Sequence, residues 1–268
     1  FRSCRPTLEF IDKHTFKYHI DFDRLAGSDD VAAICVSRPT NPTGNVLTDG
    51  EIARLSDLAR SRSIPLIIDN AYGAPFPNVI FEPVTPVWDE HIILTLSLSK
   101  LGLPGTRTGI VIAHEEIIDA VASMTAVVGL ANNNVGQTLA RPLLESGEML
   151  RISREHIQPF YRTKSRQAIE WVHEAFDDDL PYYVHKSEGA IFLWLWFKDL
   201  PGTTHDLYER LKARGVLIVP GSYFFFGMPE DWRQKHECIR MTFTQSESSV
   251  RRGIEVIAEE VKKMYLSS

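Results

Sequence analysis

The chain predicts an α/β fold: a mostly parallel sheet sandwiched by helices, with a smaller C-terminal α+β domain. Three observations predict it. An apolar run at residues 32–37, a helix-patterned segment and the apolar run Leu66-Ile67-Ile68 follow one another before residue 70. Strand, helix and strand at that spacing form a crossover unit with parallel strands. Further strand-length apolar runs occur at 92–96 and 109–113. Beyond residue 113 the pattern turns first helical and then mixed, which marks a second, smaller unit.

Each element has its own local signal. Residues 18–22 read as extended chain. The run at 32–37 feeds a Pro- and Gly-containing loop over 38–45, a strand ending in a turn. Thr48 and Glu51 make a T-x-x-E capping box, and Ile52, Leu55, Leu58 and Ala59 then recur at helical spacing as far as Arg62. Pro65 opens the next strand, which stops at Asp69. Helices are expected over 115–128 and 135–146, with a long one over 151–176 bridging to the second unit. There, strands are expected at 182–185, 191–197, 216–219 and 238–243, and helices at 205–214 and 248–265. The expected division is 1–150, the C-terminal portion of a large domain, and 151–268, a small domain.

The chain has 268 residues, 44% of them hydrophobic, enough for a large core and an appended one. Lys and Arg total 29 against 35 Asp and Glu, and a net charge of -6 gives no broad attraction to nucleic acid or an anionic membrane. No apolar run approaches the ~20 residues of a membrane span. Three widely spaced cysteines, Cys4, Cys35 and Cys238, fit neither a disulfide framework nor a zinc site, and a reducing cytoplasm is expected. The histidines are scattered: His14 and His19 lack a third ligand at useful spacing, so no metal is expected. The first residue is Phe1, with no signal core after it, and the chain reads as cut from something longer.

The segment Ser97-Leu98-Ser99-Lys100-Leu101-Gly102-Leu103-Pro104-Gly105-Thr106-Arg107 follows an apolar strand. Burial beside other cations would lower the pKa of such a lysine and make it a nucleophile. Ser97, Ser99 and Arg107 would supply donors for a dianionic phosphate. The same lysine also reads as an ordinary surface residue. Asp69 ends a strand, where a carboxylate is costly without a cationic partner, with Tyr72 three residues on; Asp69 equally reads as a turn cap. Asn41 sits between prolines in Pro39-Thr40-Asn41-Pro42-Thr43-Gly44, as a rigidly presented amide or an ordinary Asn-Pro turn. The aromatic residues of 193–197 read as core; those of 223–226, after Pro220-Gly221, read as core or as a pocket wall.

Together, N-P-T-G, D-x-x-Y, S-x-S-K and a downstream P-G-x-R occur in the order found in the fold-type I aminotransferases, and the chain resembles that family along nearly its whole length. SRPTNPTGNV, DNAYGxPFP, SLSKLGLPG and EGAIFLWLWFKDLP look like the valine–pyruvate group within it. The resemblance implies a pyridoxal 5'-phosphate cofactor and assigns residues to it. Lys100 would hold the cofactor covalently, Asp69 would pair with its pyridine nitrogen, and Asn41 and Tyr72 would bond its ring oxygen. Ser97, Ser99 and Arg107 would bind its phosphate, and Arg240 would hold the substrate α-carboxylate. Lys100 to Arg107 spans seven positions, one fewer than in many members, a shortening the valine–pyruvate group shares. Family members are longer, and their N-terminal part supplies a first phosphate-binding turn and an aromatic residue stacked on the ring.

The implied reaction is transamination between valine, or a similar small aliphatic amino acid, and pyruvate. Lys100 would move the α-proton while Asp69 stabilises the ring charge. The implied partners are small amino and keto acids and a second copy of the chain, with no nucleic acid or membrane. Rival readings are another reaction of the same cofactor, such as a β-lyase or decarboxylase, an aminotransferase-like sensing module, and an inert fragment.

Overall fold

The computed structural model describes residues 1–26 and 30–267, which build two sheets flanked by helices. The chain opens with β1 (Thr7–Phe10), β2 (Thr15–His19) and the short α1 (Phe22–Ala26). Then come β3 (Ile34–Ser37), α2 (Asp49–Ser61), β4 (Leu66–Asp69), β5 (Ile92–Ser97) and β6 (Gly109–Ile112), which form a four-stranded sheet in the order β3-β4-β5-β6. The extended chain expected over 18–22 is therefore shorter: β2 stops at His19 and Phe22 opens α1.

The crossover unit forms as expected. Strands β3 and β4 are parallel, and α2 lies between them in sequence. The Thr48 hydroxyl accepts from the Glu51 amide at 3.1 Å while the Glu51 carboxylate accepts from the Thr48 amide at 2.8 Å, so both halves of the capping box are made. Ile52, Leu55 and Ala59 then bury against Ile34, Leu66, Ile68 and Ile92 of the sheet. Each such large side chain contributes roughly 1.5–3 kcal/mol. Strand β5 continues the parallel set, but β6 runs antiparallel to it. The loop between them spans only residues 98–108 and closes with a Leu98–Thr108 backbone bond of 3.2 Å, too short for a crossover to a parallel strand.

Beyond the sheet lie α3 (Glu115–Gly129), α4 (Val135–Glu145) and α5 (Glu148–Ile152), then a π-helical turn at Ser153–Ile157 and α6 (Gln158–Ala175). The helix expected over 151–176 is thus interrupted. Pro159 has no N–H, and its ring crowds the carbonyl four residues earlier, so the backbone takes the wider π spacing there.

The second sheet has the order β1-β2-β7-β8-β10-β9, with β7 (Tyr182–His185), β8 (Phe192–Phe197), β9 (Val219–Pro220) and β10 (Cys238–Thr242). It draws strands from both sides of the expected boundary at residue 150. Strand β8 is buried along its whole length. Leu193, Leu195 and Phe197 face a core shared with α6, α7 (Thr204–Ala213) and α8 (Glu247–Leu266), while Trp194 and Trp196 face Phe16, Tyr18 and Trp232. The strand expected at 216–219 is instead the two-residue Val219–Pro220, which pairs with Arg240 and Ile239.

Candidate active site

Three strand ends of the four-stranded sheet deliver polar residues to one edge. The register sets Ser37, Asp69 and Thr95 side by side on β3, β4 and β5. Asp69 Oδ1 accepts from the Ala71 amide at 3.1 Å and lies 3.5 Å from the Thr95 hydroxyl, and Oδ2 lies 3.5 Å from the Ser37 hydroxyl. The turn-capping reading of Asp69 is therefore part of the truth. Among the described residues, however, no cation pairs with this half-buried carboxylate.

Lys100 sits in a 3-10 turn, Ser99–Leu101, directly after β5. Its Nζ stands 5.4 Å from the centre of the Tyr72 ring. The side chain is half-buried and lines a cavity of about 480 Å³ with Leu101, Gly102, Phe160, Tyr161 and the end of the π turn. Tyr72 is buried. Burial pushes its hydroxyl above the ordinary range, nearby Arg240 opposes that shift, and the Asp69 carboxylate adds to it. Tyr72 thus feels both Asp69 and Arg240, which ties residues of the two sheets into one site.

Arg240 comes from β10 and Asn41 from the loop after β3, yet Arg240 Nη1 donates to Asn41 Oδ1 at 2.7 Å. The guanidinium also lies 4.3 Å from the Phe192 ring centre and 5.0 Å from that of Phe224. Phe192 in turn meets Tyr72 edge-on, with ring centres 6.0 Å apart. Stacking against two aromatic faces fixes the plane of a guanidinium and leaves its edge to receive a carboxylate. Burial lowers the pKa of Arg240 from its ordinary value, and Tyr72 opposes the shift.

The three expected phosphate ligands share one loop. Ser97 ends β5, its hydroxyl accepts from the Ser99 amide at 3.2 Å, and the Leu98–Thr108 bond draws the far end of the loop back to this point. Arg107 caps the second 3-10 turn in the left-handed conformation, φ 48°, and is exposed. Among the described residues its guanidinium contacts neither serine.

Sequence reasoning missed Phe192, Ser37, Thr95 and Tyr161. Phe192 opens a strand that reads as pure core, and nothing local distinguishes it from its neighbours. Phe224 lies in the aromatic segment for which a pocket wall was one of two readings, and its contact with Arg240 favours that reading.

The chain is 46% identical over all 268 residues to valine–pyruvate aminotransferase of Escherichia coli (strain K12), of whose length it spans 64%. It is 29% identical over 228 residues, 83% of the chain and 52% of the relative, to aromatic-amino-acid aminotransferase 1 of Thermococcus litoralis. The crystal structure of valine-pyruvate aminotransferase from Salmonella typhimurium LT2 superposes on the whole chain with a TM-score of 0.97 and 46% identity, and the chain covers 69% of it. The sequence profile of aminotransferase class I and II matches residues 8–257. With the match running from β1 into α8, through every residue of the site, the chain belongs to the class I and II aminotransferases.

Proposed function

We propose that this chain carries the pyridoxal 5'-phosphate site of an aminotransferase that exchanges the amino group between valine, or a similar small aliphatic amino acid, and pyruvate, giving 2-oxoisovalerate and alanine. The observation that carries the reading is the meeting of Lys100, Tyr72 and Asp69 with the Asn41–Arg240 pair. The donor set fits the cofactor. Asp69 is a carboxylate with no cation paired to it among the described residues, suited to a protonated pyridine nitrogen, and Ser97, Ser99 and Arg107 would supply phosphate donors. Asn41 and Tyr72 would bond the ring oxygen.

When bound, pyridoxal phosphate supplies an electron-accepting ring conjugated to the carbon that carries the amino group. The protein residues do the rest. Asp69 would hold a proton on the ring nitrogen, Arg240 would orient the substrate carboxylate, and Lys100 Nζ would serve as the base for the substrate α-proton. We further propose that the chain acts in the cytoplasm as a homodimer; its three free cysteines support the first part.

The test adds pyridoxal phosphate to the chain and follows visible absorbance, then supplies valine and pyruvate. A band that appears in the parent and is lost in Lys100→Ala, with alanine formed as valine is consumed, is the expected result. Absence of the band defeats the cofactor assignment. Valine consumption without alanine defeats transamination in favour of a lyase or decarboxylase.

A further inference from the structure

Lys17 on β2 and Glu188 in the loop before β8 form an ion pair with side chains only 7% and 3% exposed. Two buried charges are costly unless hydrogen bonds complete them. Here one residue of a distant loop bonds both partners: Lys17 Nζ donates to the Val46 carbonyl at 3.0 Å, and the Val46 amide donates to Glu188 Oε2 at 3.0 Å. Val46 is buried and belongs to no strand. The ion pair therefore gives its backbone what a neighbouring strand would give.

Other contacts fasten the same loop. Asn45 Nδ2 donates to the Tyr18 carbonyl at 3.1 Å, and the Glu188 amide donates to the Gly44 carbonyl at 3.3 Å. Gly44 has φ +70°, and a β-carbon on it would stand 2.7 Å from the Gly189 carbonyl oxygen, so the two loops touch backbone to backbone. Glu188 Oε1 is held by Lys186 at 2.9 Å, which also reaches Glu82 at 3.0 Å. Burial pushes the Glu188 carboxyl up, but bonds from Lys17, Lys186 and the Val46 amide more than offset it and keep it ionised. Although β3 lies in the four-stranded sheet, the loop that follows it is thus tied to the six-stranded one. That loop displays Asn41, the partner of Arg240.

We infer that Lys17 and Glu188 are positioning residues that set the loop of residues 41–46 so that Asn41 meets Arg240 and holds it for the substrate carboxylate. The inference rests on the carboxylate-binding role proposed for Arg240. An apolar pair of similar volume would avoid the cost of burying two charges, but it would offer nothing to the Val46 backbone. Fold support and positioning can therefore be separated.

The test compares the full chain with two variants, Lys17→Met/Glu188→Met, which removes both charges, and Lys17→Met/Glu188→Gln, which retains an acceptor for the Val46 amide. Three quantities are read: amide hydrogen exchange over residues 41–47 without cofactor, the Kd of the pyridoxal-phosphate-loaded protein for 3-methylbutanoate, and the melting temperature. The double-Met variant, which removes both hydrogen bonds to Val46, should exchange there about tenfold faster and bind 3-methylbutanoate about tenfold more weakly. The Gln variant should fall between. A lowered melting temperature with exchange and Kd unchanged would overturn the inference, as would faster exchange with an unchanged Kd. If the parent itself does not bind 3-methylbutanoate, the role of Arg240 fails, and exchange at Val46 alone decides whether the pair holds the loop.

Discussion

Strand β8 and helix α3 are both strongly apolar, yet all six residues of β8 are buried and none of the fifteen in α3 is. Val127, Val128 and the adjoining Leu130 are 81%, 88% and 86% exposed. The difference lies in neighbours. Strand β8 is bonded by β7 and β10 and covered by helices on one face and aromatic rings on the other. Helix α3 stands off edge strand β6 across a cavity of about 340 Å³ lined by Val111, Ile118, Val121 and Ala122. An apolar pattern announces a demand for cover, and only the surrounding elements meet it.

The sharpest way to break this comparison is Phe197→Ala at the end of β8. The ring is fully buried and stacks on Phe176 with centres 5.7 Å apart. Truncation should cost about 3–5 kcal/mol, read as a lowered urea midpoint. A loss below about 1 kcal/mol would make the two regions alike.

A second consequence of dense burial is a pH dependence seated in β7. His185 is fully buried; its Nε2 accepts from the Tyr18 amide at 3.1 Å, which leaves Nδ1–H to donate to the Lys186 carbonyl at 2.8 Å. Burial drives its pKa down to about 3, with Lys17 and His19 adding to the effect. The unfolded chain, with a pKa near 6.5, binds the proton that the folded chain refuses. The stability His185 contributes is therefore complete above about pH 6.5 and is lost toward about pH 3, with a slope approaching about 1.4 kcal/mol per unit. His185→Gln, which offers an acceptor and a donor but does not titrate, should flatten urea midpoints across that window. An unchanged slope would show that other groups carry it.

The smallest effect is expected on α3. Replacing Val127 and Val128 together by Ser should change stability by less than about 0.5 kcal/mol and reduce fluorescence of a dye that binds apolar surface. A loss above about 2 kcal/mol would mean that this face is covered in solution.

The site was legible where its signals are local. Lys100 and Asp69 stand where apolar runs stop, and Asn41 stands between two prolines; each alone also reads as a surface residue or a turn, and only their order along the chain sets them apart. Their assembly was not legible. Arg240 and Asn41 lie 199 positions apart, and Lys17 and Glu188 lie 171 apart, with no pattern around either pair to announce it. Phe192 was hidden for a different reason: in a strand buried on both faces, a residue that lines a site and one that fills a core have the same character. The break before α6 at Pro159 goes unread in a pattern that predicts one helix over 151–176, and the direction of β6 depended on the length of a loop whose closure the sequence does not display.

By itself the sequence determined the capped helix α2, the strands that end in Asp69 and Ser97, the position of Lys100 just after β5 and the family. These depend on sterics and hydrogen bonds within a few residues, which short stretches of chain encode directly. Tertiary structure alone decided that β1 and β2 join the C-terminal sheet, that β8 is enclosed while α3 is not, and that an arginine and a buried ion pair from the six-stranded sheet meet the Asn41 loop. Those outcomes require closing loops of up to about 200 residues, a cost recovered only when the whole packed arrangement forms.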